Sequence, residues 1–246
     1  MQAKKIIGVV GQTGSGKTAL SYQIADYLIS RGQEPIIILA DSRTLYKDLN
    51  IASAKPDQTW LNQYQHRMVD ILDVNQGYTV YQYQQAVKDI LGQLGQKQIP
   101  VLVGGSGLYF DSVIYDYQFS DQEGDQDRKE LKYQVEIFGL CYPKPELKSR
   151  IIKRLDQMLE AGLLKEIEGV IRKHGADCIA LRSIVANRIR DYLLGLNNIT
   201  ETRRLIVADN LSLAKRQMTW FKRTPEIDWN LDDQQISERL GDLINV

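Results

Sequence analysis

Cysteine is nearly absent from this chain of 246 residues: Cys141 and Cys178 are the only two. They stand apart with no C-x-x-C pair, which argues against a zinc site and for buried thiols in a reducing compartment. Net charge is absent too. Acidic and basic residues number 31 each, so overall charge gives no argument for a polyanion partner, and local clustering must carry it. No stretch approaches the ~18 uninterrupted apolar residues of a membrane span. The sequence also enters a strand almost at once, leaving no room for a signal peptide. A soluble cytoplasmic protein, monomeric and away from membranes, is the expectation, with one large domain over 1–246.

What is present begins with Lys4-Lys5-Ile6-Ile7-Gly8-Val9-Val10, an apolar β-branched run. It feeds Gly11-Gln12-Thr13-Gly14-Ser15-Gly16-Lys17-Thr18, which matches G-x-x-x-x-G-K-[ST]. In such a loop the glycines let backbone N–H groups close around phosphate oxygens. Lys17 supplies a point charge, and Thr18 offers a hydroxyl to Mg²⁺. The helix that follows aims its positive dipole end at the same anion. The motif does not say which phosphate compound it holds.

Leu20, Ile24, Tyr27 and Leu28 have helical spacing, and Gly32 is a stop. Pro35 to Ala40 is a continuous apolar run, as a parallel strand buried on both faces should be. Strand, helix, strand makes the first crossover unit of a doubly wound, mostly parallel α/β sheet with helices on both faces. Ligands collect outside the carboxyl ends of such strands, which sets Asp41 beside the phosphate loop. A carboxylate there suits three roles: a Mg²⁺ ligand, a cap of the next turn, or a general base. Residues 46–56 read as a loop and 57–65 as a short helix. His66 to Asp73 is a brief strand opening into a loop, with His66 a hydrogen-bonded structural residue. Thr79 caps a helix to Leu94. Ile99 to Val103 is another buried strand, then Gly104-Gly105 allow close backbone approach and the Ser106 hydroxyl faces the phosphate site, or caps the next helix. Ser120 to Glu130 is a polar connection, and Tyr133 to Leu140 is a strand closing the sheet. A helical part over 143–223 follows, with helices over 143–161 and 163–174 and helix from 180 to 220 broken once near Gly195. The end of the chain adds a strand or loop and a short helix. Between Arg203 and Arg223, six basic residues, Arg203, Arg204, Lys215, Arg216, Lys222 and Arg223, face one acid, Asp209. That cluster is either a solvated helix face or a phosphate-backbone surface.

Five segments together resemble the tRNA dimethylallyltransferases: Gly11–Thr18; Asp41-Ser42 with Tyr46 and Ile51-Ala52-Ser53-Ala54-Lys55-Pro56; His66-Arg67 with Asp70 and Asp73; Val103-Gly104-Gly105-Ser106-Gly107-Leu108-Tyr109-Phe110; and Ala214-Lys215-Arg216-Gln217-Met218-Thr219-Trp220-Phe221. The resemblance implies that Gly11, Gln12, Thr13, Gly14, Ser15, Gly16, Lys17 and Thr18, with Lys215 and Arg216, hold the diphosphate of dimethylallyl diphosphate. It implies Asp41 as the base for the adenine amine, and Ser106 in the place of a threonine that contacts the reacting groups. Lys17 and Mg²⁺ beside Thr18 would offset the leaving charge. It implies a tRNA partner, met at its anticodon stem-loop by Asp41, Ser42, Arg43, Thr44, Ser106, Lys215 and Arg216, with the target base flipped out.

The chain departs from that family at four places. A short connection over 117–132 stands where members carry a helical insertion. Asn210 and Leu211 replace a Thr-Arg pair, Ala52-Ser53 replace Gly-Thr, and Ala186-Asn187-Arg188-Ile189 replace Gly-Tyr-Lys-Glu. Other readings stay open. Prenyl transfer to a free adenine nucleotide would use the same chemistry. A phosphate-loop kinase or NTPase would need an arginine-rich lid segment near the site, and none is expected there. A non-enzymatic RNA-binding protein would leave Lys17, Thr18, Asp41 and Ser106 without a role.

Overall fold

The computed structural model describes residues 5–115, 117 and 131–245. The polar connection from 120 to 130 lies outside them, as does most of the expected shortened insertion over 117–132. Six strands form one sheet: β1 (Lys5–Gly11), β2 (Glu34–Leu39), β3 (Gln65–Arg67), β4 (Gln98–Gly104), β5 (Gln134–Leu140) and β6 (Ile227–Trp229). Their order is β3-β2-β4-β1-β5-β6, and every neighbouring pair is parallel. β5 therefore does not close the sheet. β6 pairs outside it, with Ile137 opposite Ile227.

Nine helices of the described residues cover the sheet: α1 (Lys17–Ser30), α2 (Gln58–Gln63), α3 (Val80–Gln93), α4 (Gly107–Ile114), α5 (Lys144–Glu160), α6 (Leu163–His174), α7 (Ile184–Leu193), α8 (Ile199–Phe221) and α9 (Asp233–Asn245). The expected helix from 180 to 220 is broken twice. A 3-10 turn at Ile179–Arg182 ends at Ser183, whose hydroxyl accepts from Ala186 N and starts α7. The second break is the expected one, where Asn198 caps α8. Thr79 caps α3 through a full capping box with Gln82.

Side chains alternate along the inner strands, so each strand feeds two cores. Ile6, Val10, Ile36, Ile38, Leu102 and Ile137 face the layer containing α3, α4, α6 and α7. Ile7, Val9, Ile37, Leu39, Val101, Val103 and Phe138 face α1 and α9. Burying each such side chain stabilises the fold by roughly 1.5–3 kcal/mol. Both faces being covered explains why the strands read as unbroken apolar runs. Gly8 gives room to Phe110, since a Cβ there would lie 2.6 Å from the Phe110 ring.

The connections leaving β1 and β4 run in opposite directions and on opposite faces, α1 against one core and α4 against the other. The crevice between these two strands is the topological switch point, where ligands of doubly wound sheets bind. At that edge β2 and β4 approach closely, for a Cβ on Gly104 would lie 2.0 Å from the Ala40 carbonyl oxygen. No helix of the described residues is long and apolar enough to cross a membrane.

Candidate active site

The carboxyl ends of β1, β2 and β4 deliver three short segments to one place: the loop 11–16, residues 40–44, and Gly104 to Gly107. Gly14 and Gly16 have φ of +79° and +96°, the left-handed region that favours glycine, and they turn the loop into the first turn of α1. The N–H groups of that turn have no partner inside the helix, so they are free for an anion. Gln12 is buried and structural: its Oε1 accepts from Tyr142 N at 2.8 Å. Lys17 lies folded onto its own loop, donating through Nζ to the carbonyls of Gly11 at 3.2 Å and Gln12 at 2.7 Å. Burial pulls its pKa down to about 8, against the opposing pull of the Asp41 charge.

Two cavities meet here. The first, of about 570 Å³, is lined by the loop through Thr13, Gly14, Gly16, Lys17 and Thr18, and by Arg150, Lys153 and Arg154 of α5. The second, of about 530 Å³, is lined by Ser42, Arg43, Ser106, Tyr109, Arg182 and Trp220, among others. Asp41 lines both. Its Oδ1 accepts from Arg43 N at 2.9 Å and the Thr44 hydroxyl donates to its carbonyl at 3.0 Å, so the carboxylate is held by the turn it caps. The capping role and a role toward the cavities are thus compatible, since one carboxylate offers several lone pairs. Ser106 begins α4 without a side-chain cap bond. Its hydroxyl instead accepts from Ser42 N at 3.4 Å, beside Asp41. Tyr109 stacks on Tyr83 at 4.2 Å, and burial pushes its phenol up to about 12, leaving it a neutral donor at the second cavity.

The arginines of α5 are what sequence reading missed. Arg150 Nε donates to Gly14 O at 3.2 Å, and its guanidinium lies 4.3 Å over the Tyr142 ring. Arg154 Nη2 donates to Thr13 Oγ1 at 3.0 Å and to Asn210 Oδ1 at 3.3 Å. These two arginines belong to α5 and not to the arginine-rich lid that a kinase reading calls for. The available signal was the spacing of Arg150 and Arg154, i and i+4 on one helix face, flanking the apolar stripe of Leu147, Ile151, Leu155 and Met158.

The basic part of α8 divides. Arg203 and Arg204 are paired with Asp156 and Glu201. Arg216 lines the second cavity, whereas Lys215 lines neither and faces outward beside Thr219 and Arg223. The two substituted positions preceding Lys215 also separate. Asn210 is buried, donates to Ile206 O, and orients Arg154. Leu211 packs with Leu147, Ile151 and Ala214, away from both cavities.

The outer wall is the loop 46–56. Glu166 of α6 accepts from the amides of Asn50, Ile51 and Ala52 at 2.7, 2.8 and 2.8 Å. Lys55 is turned inward, donating to Tyr46 O and Asp70. Ser53 and Ala54 of this loop line both cavities. His66 is the structural residue expected, with Nδ1 2.9 Å from Tyr64 O and burial lowering its pKa.

A cation at the first cavity would meet few protein ligands. No cluster of three or more His, Cys, Asp or Glu suited to a metal occurs among the described residues. The exposed Thr18 hydroxyl at the cavity wall suits Mg²⁺, which takes one or two protein oxygens and otherwise keeps water and substrate phosphates.

Comparison with known proteins bears on this site. The family model described as IPP transferase matches residues 44–132 and 117–224. A tRNA dimethylallyltransferase of Oenococcus oeni is 30% identical over 242 residues, covering 96% of this chain and 91% of the relative. One from Acholeplasma laidlawii is 30% identical, with 98% of each chain covered. The alignment with the Natranaerobius thermophilus tRNA dimethylallyltransferase, 27% identical, extends over 311 positions. That exceeds the 246 residues here, so parts of that relative have no counterpart in this chain. Among solved structures, the tRNA isopentenylpyrophosphate transferase of Bacillus halodurans matches with a TM-score of 0.85 at 22% identity, covering 98% of this chain and 97% of that one. A eukaryotic dimethylallyltransferase acting on tRNA matches at 0.77 and 19%, covering 97% and 78%. Both likenesses are of fold.

Proposed function

The chain belongs to the IPP transferase family, and from that premise we propose that it transfers a dimethylallyl group from dimethylallyl diphosphate to the exocyclic amine of an adenosine next to the anticodon of tRNA, releasing diphosphate. The observation that carries this reading is Asp41 lining both cavities at once. An enzyme that joins two substrates needs a base at their meeting point, within reach of the nucleophile and beside the leaving group.

In this reading the first cavity takes the diphosphate. The turn of α1, Lys17, Arg150 and Arg154 surround it with donors and positive charge. These groups stand where charge grows as the C–O bond breaks, and fixed donors of that kind stabilise a transition state without reorganising. The diphosphate role expected of Lys215 and Arg216 passes to the two α5 arginines. The second cavity takes the adenine. Its amine attacks the allylic carbon, the carbon–nitrogen bond forms as diphosphate departs, and Asp41 accepts the amine proton. Ser106 and Tyr109 are the hydroxyls available to orient the base. Mg²⁺ held by the Thr18 hydroxyl and diphosphate oxygens would add Lewis-acid neutralisation of the leaving group.

Arg43, Arg182 and Arg216 give the second cavity a positive rim suited to the phosphates that flank an extruded nucleotide of the anticodon stem-loop. The protein works as a cytoplasmic monomer in this account. The test separates chemistry from binding. Asp41→Asn removes the proton acceptor but keeps the turn, so kcat for tRNA prenylation falls by a factor of about 10²–10⁴ while dimethylallyl diphosphate affinity is retained. Unchanged kcat would remove Asp41 from the base role.

A further inference from the structure

Gln217 connects the two cavities physically. It sits on α8, lines both of them, and uses both ends of its amide. Oε1 accepts from the backbone N–H of Thr13 in the phosphate loop at 2.7 Å. Nε2 donates to the carbonyl of Gly105, in the segment that carries Ser106, at 3.1 Å. A backbone N–H can only donate and a carbonyl can only accept, so the orientation of the amide is fixed by its partners. The fit is close. A Cβ on Gly105 would lie 2.2 Å from Gln217 Nε2, so that glycine is what lets the amide reach the backbone.

The helix that carries Gln217 is held against the acceptor segment at a second point. Three residues on, the Trp220 ring occupies the space a Cβ of Gly107 would need, 2.2 Å away, and its Nε1 donates to Asp111 Oδ2 at 2.8 Å. Earlier on the same helix, Asn210 holds Arg154. Three contacts of α8 thus reach the phosphate side, the span between the sides, and the acceptor side.

We propose that Gln217 is a positioning residue for the transfer reaction: its amide sets the separation between the phosphate loop at Thr13 and the acceptor segment at Gly105, and hence between electrophile and nucleophile. This rests on the two-substrate reading of the cavities. A joined pair of sites gains rate only when the reacting atoms are held near contact distance, and a shift of an ångström is costly. The span needs one donor and one acceptor on a short planar group. Among natural side chains of this length, an amide provides that, and so does a protonated carboxylic acid; an ionised carboxylate provides only acceptors.

That difference makes the test. Gln217→Glu and Gln217→Leu are compared with the wild-type protein for prenyl transfer to tRNA and for dimethylallyl diphosphate affinity, as a function of pH. At about pH 8 both variants should lose about tenfold or more in kcat, with a smaller change in KM, from the lost bond across the two segments. As the pH falls to about 5.5, toward the range where a buried Glu takes up a proton, the ratio of Gln217→Glu to wild type should recover, while that of Gln217→Leu stays flat. The other groups lining the two cavities are the same in all three proteins, so the ratio isolates position 217. A ratio for Gln217→Glu that is flat with pH, or variants within about threefold of wild type, overturns the proposal. If wild type itself prenylates no tRNA, the functional reading fails instead. The pH dependence of the variants' relative diphosphate affinity then still decides whether Gln217 acts as an amide clamp on the loop.

Discussion

Arg154 donates its guanidinium N–H to the hydroxyl of Thr13 at 3.0 Å, fixing a cation from α5 on the phosphate loop. Burial lowers its pKa and the nearby Asp41 charge opposes the shift; a guanidinium stays protonated under such pressure. Replacing Arg154 by Ala removes a charged hydrogen-bonding group, a loss of about 1.5–3 kcal/mol, equivalent to a KM for dimethylallyl diphosphate raised roughly tenfold to a hundredfold. Lys at this position restores the charge and not the fork, so it recovers only part of the loss. Steady-state kinetics at saturating tRNA reads both variants. Equal KM values for all three proteins would remove Arg154 from the diphosphate site.

Lys17 gives the site a pH dependence of known sign. Its pKa is lowered to about 8 by burial, so in the free protein it is charged below that pH and neutral above. An anion binds the charged form. Above about pH 7, where the diphosphate is already fully ionised, dimethylallyl diphosphate affinity should therefore fall as the pH rises through about 8. Lys17→Arg keeps its charge throughout and should lose this break, whatever its absolute affinity. Titration calorimetry across the range checks the slope, and affinity that rises with pH would contradict the assignment.

Glu166 acts on the acceptor wall from outside the site. One carboxylate satisfies three consecutive amides, Asn50, Ile51 and Ala52, and so fixes the loop whose Ser53 and Ala54 line both cavities. Glu166→Ala should destabilise the protein by about 2 kcal/mol. Thermal denaturation should record a fall of about 4–8 °C. KM for tRNA should rise more than KM for dimethylallyl diphosphate, since the phosphate loop keeps its own contacts. A stable variant with normal tRNA kinetics would show that the wall holds without it.

The parts of this molecule legible in sequence are those where local chemistry and fold coincide. Ile6 to Thr18 reads as strand, loop and helix because apolar β-branched residues, positive-φ glycines and Lys17 all point to one structure. Thr79 reads as a helix cap from its place before the apolar spacing, and its capping box with Gln82 is what the structure adds. Strand order was not legible, because parallel strands buried on both faces look alike: β5 reads as an edge, and only Ile227 beside Ile137 shows otherwise. Ser183 escaped notice as a helix start because its neighbours carry the same apolar spacing on both sides. Within the site, Asp41 and Ser106 were found because they follow buried strands. Arg150 and Arg154 were not, because basic residues flanking an apolar stripe are what most amphipathic helices show. Only the fold brings that face onto Thr13 and Gly14. Lys215 erred the other way: its neighbours in the segment Arg216, Gln217 and Trp220 line a cavity, but helical rotation turns Lys215 outward.

The central claim is that the two cavities joined at Asp41 bring an allylic diphosphate to an adenosine of tRNA. The most direct measurement incubates the protein with dimethylallyl diphosphate labelled in its allylic chain, offering tRNA, AMP and ATP as acceptors, and follows which adenine compound gains label. Label on tRNA adenosine, with diphosphate released in equal amount and transfer slowed by a factor of about 10²–10⁴ in Asp41→Asn, is the predicted result. ATP turnover without label transfer, or label on AMP or ATP alone, would contradict the account.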